Sequence, residues 1–529
     1  MKTLGHVVAG SLADGFEVNI STGHDEMRAG KFVSIISHQG RFFSLVTDLK
    51  LAVSNPDIFK FNASSFGPFQ LALAQKTTYS IAHLRPLILV DNHNIIRSVK
   101  TVPNHFSAVT DVDNSDIKLI FGSEDDASKN YFAIGCPLGM TESVCLNLEK
   151  LCERSNGIFG KTGTGKTFLT RLVLAGIVSR KKAVNLIFDM HSEYGIQARK
   201  ENSVNFVKGL KTLFPERVAL FALDPTSTRR RGSSPDVEVV ISYQDVSVED
   251  ILSMQNELNL HATALEAAYM IEAKYKKDWL SALLSSGDDL RSFAAGIGAN
   301  YESIAALYRK LKRIEKLPFF SPQKTSSSVI DQMMEYIDKG IHIIVEFGNF
   351  TSTFCYLLVA NIITRRIHTE YMNKTEKFLG SHNLADEPKK LLITIEEAHK
   401  FLNPIAAKQT IFGIIAREMR KYYVSILIVD QRPSGIDSEL MSQIGTKIVA
   451  QLNDEHDIQA VLNGVAGAQE LRTVLSTLES KKQVLLLGHA VPMPVVVESR
   501  EYGEQFYQDL FKNEPVRHRS IDNLINDIF

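Results

Sequence analysis

One glycine-rich stretch, G-I-F-G-K-T-G-T-G-K-T-F at residues 157–168, constrains this chain more than any other feature. It fits the pattern G-x-x-x-x-G-K-[ST], in which backbone N–H groups turn inward around a phosphate chain. Such a turn needs backbone angles that glycine reaches without strain. An apolar run at helical spacing follows over 168–178, so the loop opens a helix whose N-terminal dipole faces the anion. The sequence therefore predicts a nucleotide-binding loop.

Two polar residues of this loop have predicted contacts. Lys166 is expected to lie against the β- and γ-phosphates, and the hydroxyl of Thr167 to complete the shell of a Mg²⁺ ion. ATP and Mg²⁺ are thus the expected cofactors. An accidental glycine-rich turn is the alternative, and the acidic residues described below disfavour it. The residues predicted to bind the nucleotide are Gly160, Lys161, Thr162, Gly163, Thr164, Gly165, Lys166, Thr167 and Phe168.

Length and composition limit the class of protein. A chain of 529 residues is too long for one core and suggests about two to four domains. The net charge is −1, so any nucleic-acid binding must come from local basic patches. The N-terminus has no apolar run typical of a signal peptide, and no segment has the roughly 18 uninterrupted apolar residues of a membrane span. We therefore expect a cytoplasmic protein.

The pattern of apolar residues predicts an α/β fold whose core is a mainly parallel sheet, preceded by a small β-barrel. Residues 1–140 contain short β-prone runs separated by turn signals. Alternating strands and helices assign 141–244 and 336–500 to the core, 245–335 to a helical insertion and 501–529 to an amphipathic docking tail. The β-prone runs of the barrel are Phe16–Ile20, Lys31–Ile36, Phe42–Val46, Leu87–Val90 and Ile117–Phe121.

Acidic residues follow two predicted strands. A polar linker, Asn373–Glu387, precedes the apolar strand 391–395, which ends in Glu396 and Glu397. We expect Glu396 to hold the hydrated Mg²⁺ and Glu397 to orient or deprotonate the attacking water. The strand 184–188 ends in D-M-H-S-E-Y, residues 189–194, at the edge where α/β proteins bind ligands. The alternative for this second group is a polar strand end that caps a helix.

Basic residues and one amide are further candidates. A predicted helix over 409–421 places Arg417, Arg420 and Lys421 on one face, as an arginine finger for a neighbour's γ-phosphate or as a salt-bridge face. Strand 424–429 leads to Gln431, whose amide could bond the γ-phosphate or the water. Three consecutive arginines, 229–231, are either a mobile loop that contacts DNA phosphates or a solvated turn.

Together these motifs resemble the HerA family of hexameric ATPases, relatives of the FtsK DNA translocases. The resemblance covers nearly the whole chain, from the barrel through D-x-H-x-E-Y, I-E-E-A-H-K-F, R-E-M-R-K-Y, D-Q-R-P-S and L-L-G-H-A. The chain departs from many relatives in having Glu396 in place of Asp, and Met419 in place of Gly. The resemblance implies that the P-loop core is RecA-like. It implies roles for Glu396 and Glu397 in the acidic motif, Gln431 as sensor, and Arg420, with Arg417 second, as trans-acting finger.

The resemblance also implies a homohexameric ring that threads double-stranded DNA and has a nuclease or other effector partner on the barrel. The predicted function is therefore an ATP-driven DNA translocase or helicase, in DNA end processing or anti-phage defence. The alternative is an ATPase scaffold that assembles and activates an effector, with translocation secondary. A conjugation-type coupling ATPase is disfavoured by the lack of a membrane segment.

Overall fold

The computed structural model describes residues 2–21, 26–54, 78–199, 206–323, 328–408, 410–418, 421–479 and 482–512. Within these ranges the chain forms an antiparallel barrel and a parallel-rich sheet that carries the phosphate loop. The predicted α/β fold with a preceding barrel is confirmed.

The barrel is built from antiparallel strands near the N-terminus. Among the described residues, six strands pair in the order β2-β1-β7-β3-β4-β5, and β5 pairs back with β2 to close the barrel, while β6 extends β5. Apolar side chains such as Val33, Ile35 and Phe42 are buried inside it. The strands are β1 (Thr3–Ser11), β2 (Gly15–Ile20), β3 (Phe32–Ser37), β4 (Gly40–Val53), β5 (Thr78–Val90), β6 (Ile96–Ser98) and β7 (Ala108–Asp111).

One predicted strand of this region is a helix. Helix α1 (Asn114–Phe121) replaces the strand expected at 117–121. Its buried residues Ile117, Ile120 and Phe121 recur at intervals of three and four, which is the period of a helix face rather than of a strand. Ile117 and Ile120 are β-branched, which favours a strand, but the spacing of the buried residues favours a helix.

The second sheet has twelve described strands in the order β15-β14-β18-β11-β19-β20-β10-β21-β22-β23-β8-β9, parallel from β15 to β21 and antiparallel beyond. The strands after the barrel are β8 (Tyr131–Pro137), β9 (Val144–Asn147), β10 (Asn156–Phe159), β11 (Val184–Asp189), β12 (Gln197–Arg199), β13 (Phe206–Lys208), β14 (Val218–Ala222), β15 (Val237–Glu238), β16 (Ile241–Ser242), β17 (Phe320–Ser321), β18 (His342–Glu346), β19 (Leu391–Glu396), β20 (Val424–Asp430), β21 (Thr446–Val449), β22 (Gln483–Gly488) and β23 (Val495–Ser499). Every residue of β11, β19 and β20 is buried, as expected for central parallel strands covered on both faces.

Helices connect these strands and pack around the sheet. They are α2 (Leu148–Cys152), α3 (Lys166–Arg180), α4 (Leu210–Leu213), α5 (Pro225–Arg230), α6 (Val248–Leu252), α7 (Gln255–Leu258), α8 (Ala262–Tyr275), α9 (Trp279–Ser285), α10 (Leu290–Ile297), α11 (Tyr301–Leu311), α12 (Val329–Lys339), α13 (Thr353–Ser381), α14 (His399–Leu402), α15 (Ile411–Glu418), α16 (Ser438–Gln443), α17 (Glu455–Leu462), α18 (Ala468–Ser476) and α19 (Glu504–Phe511). Helix α3 is buried on all sides from Leu169 to Val178, which fixes the phosphate loop that precedes it.

One predicted helix boundary is wrong. The expected linker 373–387 is helical as far as Ser381, because α13 continues with Tyr371 and Thr375 packed against the core. The described part of helix α15 ends at Glu418, and 409, 419 and 420 lie outside the described residues, so the common face of Arg417, Arg420 and Lys421 stays a prediction. Residues 248–258, near the start of the predicted helical insertion, form the two short helices α6 and α7.

The helices between 248 and 311 pack on the core sheet through α13. Trp279 is 1% exposed and donates from Nε1 to the carbonyl of Val246 at 2.8 Å. Arg365 of α13 donates from Nε and Nη2 to the two carboxylate oxygens of the fully buried Asp250, at 2.9 and 2.6 Å. No helix within the described ranges has the length and apolar character needed to cross a membrane. The assignment of 1–140, 141–244 with 336–500, 245–335 and 501–529 to separate domains stays a prediction.

The described part of the C-terminal tail lies on its own chain. Phe506 of α19 is 1% exposed and meets Phe132 edge-on, with 6.2 Å between ring centroids. The backbone N–H of Lys208 donates to the hydroxyl of Tyr507 at 3.2 Å. The remainder of the predicted docking tail 501–529, residues 513–529, lies outside the described residues.

Candidate active site

The phosphate loop leaves the sheet at its centre. Strand β10 lies between β20 and β21, and Phe159 is level with Asp430 on one side and Val449 on the other. The loop is anchored to both neighbours, since the N–H of Gly160 bonds the Asp430 carbonyl at 3.3 Å and that of Lys161 the Gln451 carbonyl at 3.1 Å. The predicted loop therefore lies at the carboxyl ends of the parallel strands.

The loop conformation depends on its glycines. Gly163 and Gly165 have φ of +79° and +84°, and no heavy atom lies within 4 Å of a Cβ built on either. Backbone conformation rather than crowding therefore favours glycine at both positions. Gly160 differs, because a Cβ there would lie 2.8 Å from the side chains of Ala450 and Thr164. The ammonium of Lys166 lies across the loop and donates to the carbonyl of Lys161 at 3.0 Å.

Glu396 occupies the end of β19, one strand away from the loop strand because β20 lies between them. Its side chain is 8% exposed, and the hydroxyl of Tyr194 donates to Oε1 at 2.7 Å. Its other oxygen, Oε2, is buried and has no hydrogen-bond partner among the described residues. Burial raises the pKa of Glu396 to about 8, and the nearby carboxylates of Asp189, Glu193 and Glu397 add to the rise against the Tyr194 bond.

Glu397 is joined to the phosphate loop through Gln431. The hydroxyl of Thr162 donates to Gln431 Oε1 at 2.5 Å, and Gln431 Nε2 donates to Glu397 Oε1 at 3.2 Å. Glu397 has φ of +50°, an uncommon conformation for a non-glycine residue that is concentrated at functional sites. Three residues from separate motifs are thus in one continuous set of contacts.

Two residues that the sequence did not single out as site residues, His399 and Asp430, contact each other, and His399 lies beside Glu397. His399 bonds Asp430 through Nδ1, and its Nε2 is 3.8 Å from Glu397 Oε2. Both residues are in motifs that were noticed, I-E-E-A-H and D-Q-R-P-S, but their contact depends on the pairing of β19 with β20. The two motifs alone therefore do not predict the contact between His399 and Asp430.

The residues of D-M-H-S-E-Y have separate roles. Asp189 is fully buried and accepts from the N–H groups of Glu193 and Tyr194, each at 2.8 Å, so it holds its own loop. Burial, with the charge of Glu346, raises the pKa of Asp189 to about 7. His191 is exposed. This segment contributes the Tyr194 hydroxyl to the site.

The candidate arginines differ in their hydrogen-bond partners and in whether the structure describes them. Arg417 donates from Nη2 to the carbonyl of Ala407 at 2.6 Å, whereas Arg420 lies outside the described residues. Among 229–231, Arg231 bonds the buried Glu346 at 2.8 Å. Arg229 and Arg230 end helix α5 rather than a loop, so the mobile basic loop is not observed.

These residues fit a nucleotide with a divalent cation. The glycine turns leave room for phosphate oxygens, Lys166 supplies a cation and Thr167 stands in the first turn of α3. The buried, unpartnered Oε2 of Glu396 has the oxygen chemistry that Mg²⁺ prefers. Beside the loop is an open cleft of about 1320 Å³, lined by Lys161, Thr162, Gln431, Arg432 and residues of α17 and α18.

Comparison with known proteins agrees with this geometry. Residues 132–367 match the family described as "Helicase HerA, central domain". The match covers a little under half of the chain and includes the phosphate loop. The DNA double-strand break repair helicase HerA of Saccharolobus solfataricus is 24% identical over 433 residues, which are 79% of this chain and 77% of that one. HerA of Pyrococcus furiosus is 21% identical over 388 residues, 68% and 67% of the two chains. The resemblance to the HerA family is confirmed.

Two solved structures are similar to this chain at lower sequence identity. VirB4 of Thermoanaerobacter pseudethanolicus has a TM-score of 0.46 and 12% identity, covering 73% of this chain and 99% of that one. The unbound bacterial conjugative coupling protein TrwB (residues beyond a 70-residue N-terminal deletion) has a TM-score of 0.45 and 12% identity, covering 70% and 89%. With its phosphate loop and its similarity to HerA helicases, the chain is a nucleotide-binding, ATP-hydrolysing enzyme.

Proposed function

We propose that this HerA-type chain is a DNA-translocating motor that works as a homohexameric ring. The continuous contact from Thr162 through Gln431 to Glu397 carries the proposal, because it connects the phosphate loop to a carboxylate suited to activate water. A motor needs such a connection, so that the presence of a γ-phosphate changes the position of groups outside the loop. The names of the relatives, which are DNA double-strand break repair helicases, support DNA as the track.

In the proposed reaction, Glu397 orients the attacking water and accepts its proton. Lys166 neutralises the charge that develops on the γ-phosphate, and Thr167 with Glu396 would hold Mg²⁺, which supplies charge stabilisation when bound. Gln431 reports the nucleotide state through its amide. A guanidinium from the next subunit, Arg420 or else Arg417, completes the charge stabilisation.

A ring arrangement is supported by the open side of the loop. The cleft beside Lys161 and Thr162 is open, and its volume of about 1320 Å³ leaves room for a group from a second subunit. An effector, such as a nuclease, is proposed to bind the barrel, in DNA end processing or anti-phage defence. Exposed leucines on β4 support a partner there, since Leu49 is 40% and Leu51 86% exposed.

The test is the ATP hydrolysis rate of the purified oligomer with and without double-stranded DNA, at low and moderate salt. A motor that grips phosphates gives strong stimulation that declines as salt rises. Stimulation at neither salt would overturn the motor and leave the scaffold, in which ATP hydrolysis is indifferent to DNA. Size-exclusion chromatography with light scattering tests the hexamer in the same samples.

A further inference from the structure

The imidazole of His399 lies between two carboxylates. Its Nδ1 is 3.0 Å from Oδ2 and 3.1 Å from Oδ1 of Asp430, and its Nε2 is at ion-pair distance, 3.8 Å, from Oε2 of Glu397. The side chain of Asp430 is fully buried, whereas that of His399 is 25% exposed. A rigid acceptor therefore orients a ring whose other nitrogen faces the proposed base.

Asp430 also joins the two loops of the site. Its Oδ2 accepts from the backbone N–H of His399 at 2.7 Å, and its Oδ1 from that of Arg432 at 2.7 Å. One loop follows β19 and carries Glu397, and the other follows β20 and carries Gln431. Because these two bonds are to the main chain, they remain when the imidazole is replaced. The side chain of His399 can thus be tested separately from the fold of the loops.

Glu397 is held from two sides. Gln431 donates to its Oε1 at 3.2 Å, and the imidazole faces its Oε2. With Nδ1–H directed to Asp430, a proton on Nε2 makes the ring an imidazolium that attracts Glu397. The hydrogen bond to Asp430, with the charges of Asp430 and Glu397, raises the pKa of His399 against the effects of burial and Lys400.

We propose that His399 is a positioning residue for ATP hydrolysis, which fixes the carboxylate of Glu397 toward the attacking water while Asp430 fixes the imidazole. The proposal rests on the proposed role of Glu397 as base. Among the described contacts, His399 does not touch the phosphate loop. We therefore expect it to affect the hydrolysis step and not the binding of ATP. Loss of the imidazole should therefore lower kcat and leave KM and ATP affinity unchanged.

The experiment compares His399→Gln and His399→Asn with the parent as the full oligomer, measuring kcat, KM and affinity for a fluorescent ATP analogue. We expect kcat to fall about tenfold to hundredfold in both, the range seen when a partner that orients a functional ligand is removed. His489→Gln is the matched control. His489 also faces a glutamate, with Nε2 3.3 Å from Glu153 Oε2, but at the opposite edge of the sheet. Its substitution should leave kcat unchanged.

A second comparison separates this proposal from the one on which it rests. In the Glu397→Gln background, residual single-turnover hydrolysis should be the same with or without His399→Gln, because His399 acts through the missing carboxylate. An unchanged kcat in both His399 variants, or an equal loss in both backgrounds, would overturn the positioning role. Parent-like hydrolysis by Glu397→Gln alone would instead overturn the proposed base.

Discussion

Replacing Tyr194 by phenylalanine removes one oxygen atom from the site and leaves the packing of the ring intact. That hydroxyl is the one described donor to the carboxyl group of Glu396, at 2.7 Å to Oε1, and Oε2 already lacks a described partner. In Tyr194→Phe, both oxygens of a buried carboxyl group would be unsatisfied. The variant therefore isolates a single contact between the loop after β11 and the end of β19.

The expected magnitude depends on the ionisation of Glu396. Leaving a buried acceptor without its donor costs about 1–3 kcal/mol, and bonds to charged groups are at the upper end. The pKa of Glu396 is raised to about 8, so the group is mostly protonated at pH 6 and mostly ionised at pH 9. Without metal or nucleotide, we expect a loss of unfolding free energy of about 1 kcal/mol at pH 6 and about 2–3 kcal/mol at pH 9.

The sign follows from linkage. An acid whose pKa is raised on folding gives full stability below its unfolded value, near 4.5, and loses it as pH rises through the folded value of about 8. The Tyr194 bond opposes this rise. Without the bond, the pKa of Glu396 rises further, and the variant continues to lose unfolding free energy above pH 8. The difference in unfolding free energy between variant and parent is therefore constant below pH 8 and widens above it.

The assay is urea denaturation followed by circular dichroism at pH 6 and pH 9 in chelator, for Tyr194→Phe, Glu396→Gln and the double variant. Tyr371→Phe is the control, because the hydroxyl of Tyr371 donates to the Lys389 carbonyl at 2.9 Å and its loss should not depend on pH in this range. A deficit in Tyr194→Phe that is the same at both pH values and unchanged in the Glu396→Gln background would refute the reasoning.

Three further substitutions test other parts of the structure. Arg365→Met leaves the buried Asp250 carboxylate without its bidentate partner, and should lower the unfolding free energy by about 3–5 kcal/mol, measured by urea denaturation; a loss below 1 kcal/mol would contradict the burial of this pair. Gly165→Ala places a Cβ at φ of +84° in open space, so strain of about 1–2 kcal/mol should weaken ATP affinity about fivefold to thirtyfold in a fluorescence titration, whereas unchanged affinity would argue against this loop conformation. Phe506→Ala should destabilise the protein by about 3–5 kcal/mol in the same denaturation assay, and a neutral result would show that α19 does not pack on its own chain.

The sequence indicated the central strands because burial on both faces leaves a continuous apolar run. Strands β11, β19 and β20 were expected within one or two residues of their observed bounds. The prediction was wrong at 117–121, where β-prone residue types favoured a strand although their spacing favours a helix. It was also wrong at 373–381, where the polar surface of a helix was interpreted as a linker. Local composition does not report what a helix packs against.

The chemistry of the site could be predicted only within each motif. The loop and the adjacent acids Glu396 and Glu397 are contiguous in sequence and carry their own pattern. The bond from Tyr194 to Glu396 joins residues 202 apart, and the one from His399 to Asp430 joins residues 31 apart. Such contacts depend on strand order and register, which place β20 between β10 and β19. No pattern in a single sequence specifies that order.

Single-turnover hydrolysis of ATP by Glu397→Gln, measured beside the parent and Lys166→Ala, tests the central claim most directly. The account predicts that Glu397→Gln binds ATP with parent-like affinity yet hydrolyses it about a hundredfold to ten-thousandfold more slowly, the usual contribution of a general base. Lys166→Ala should lose tight binding instead. Hydrolysis by Glu397→Gln at the parent rate would contradict the claim that this carboxylate activates the water.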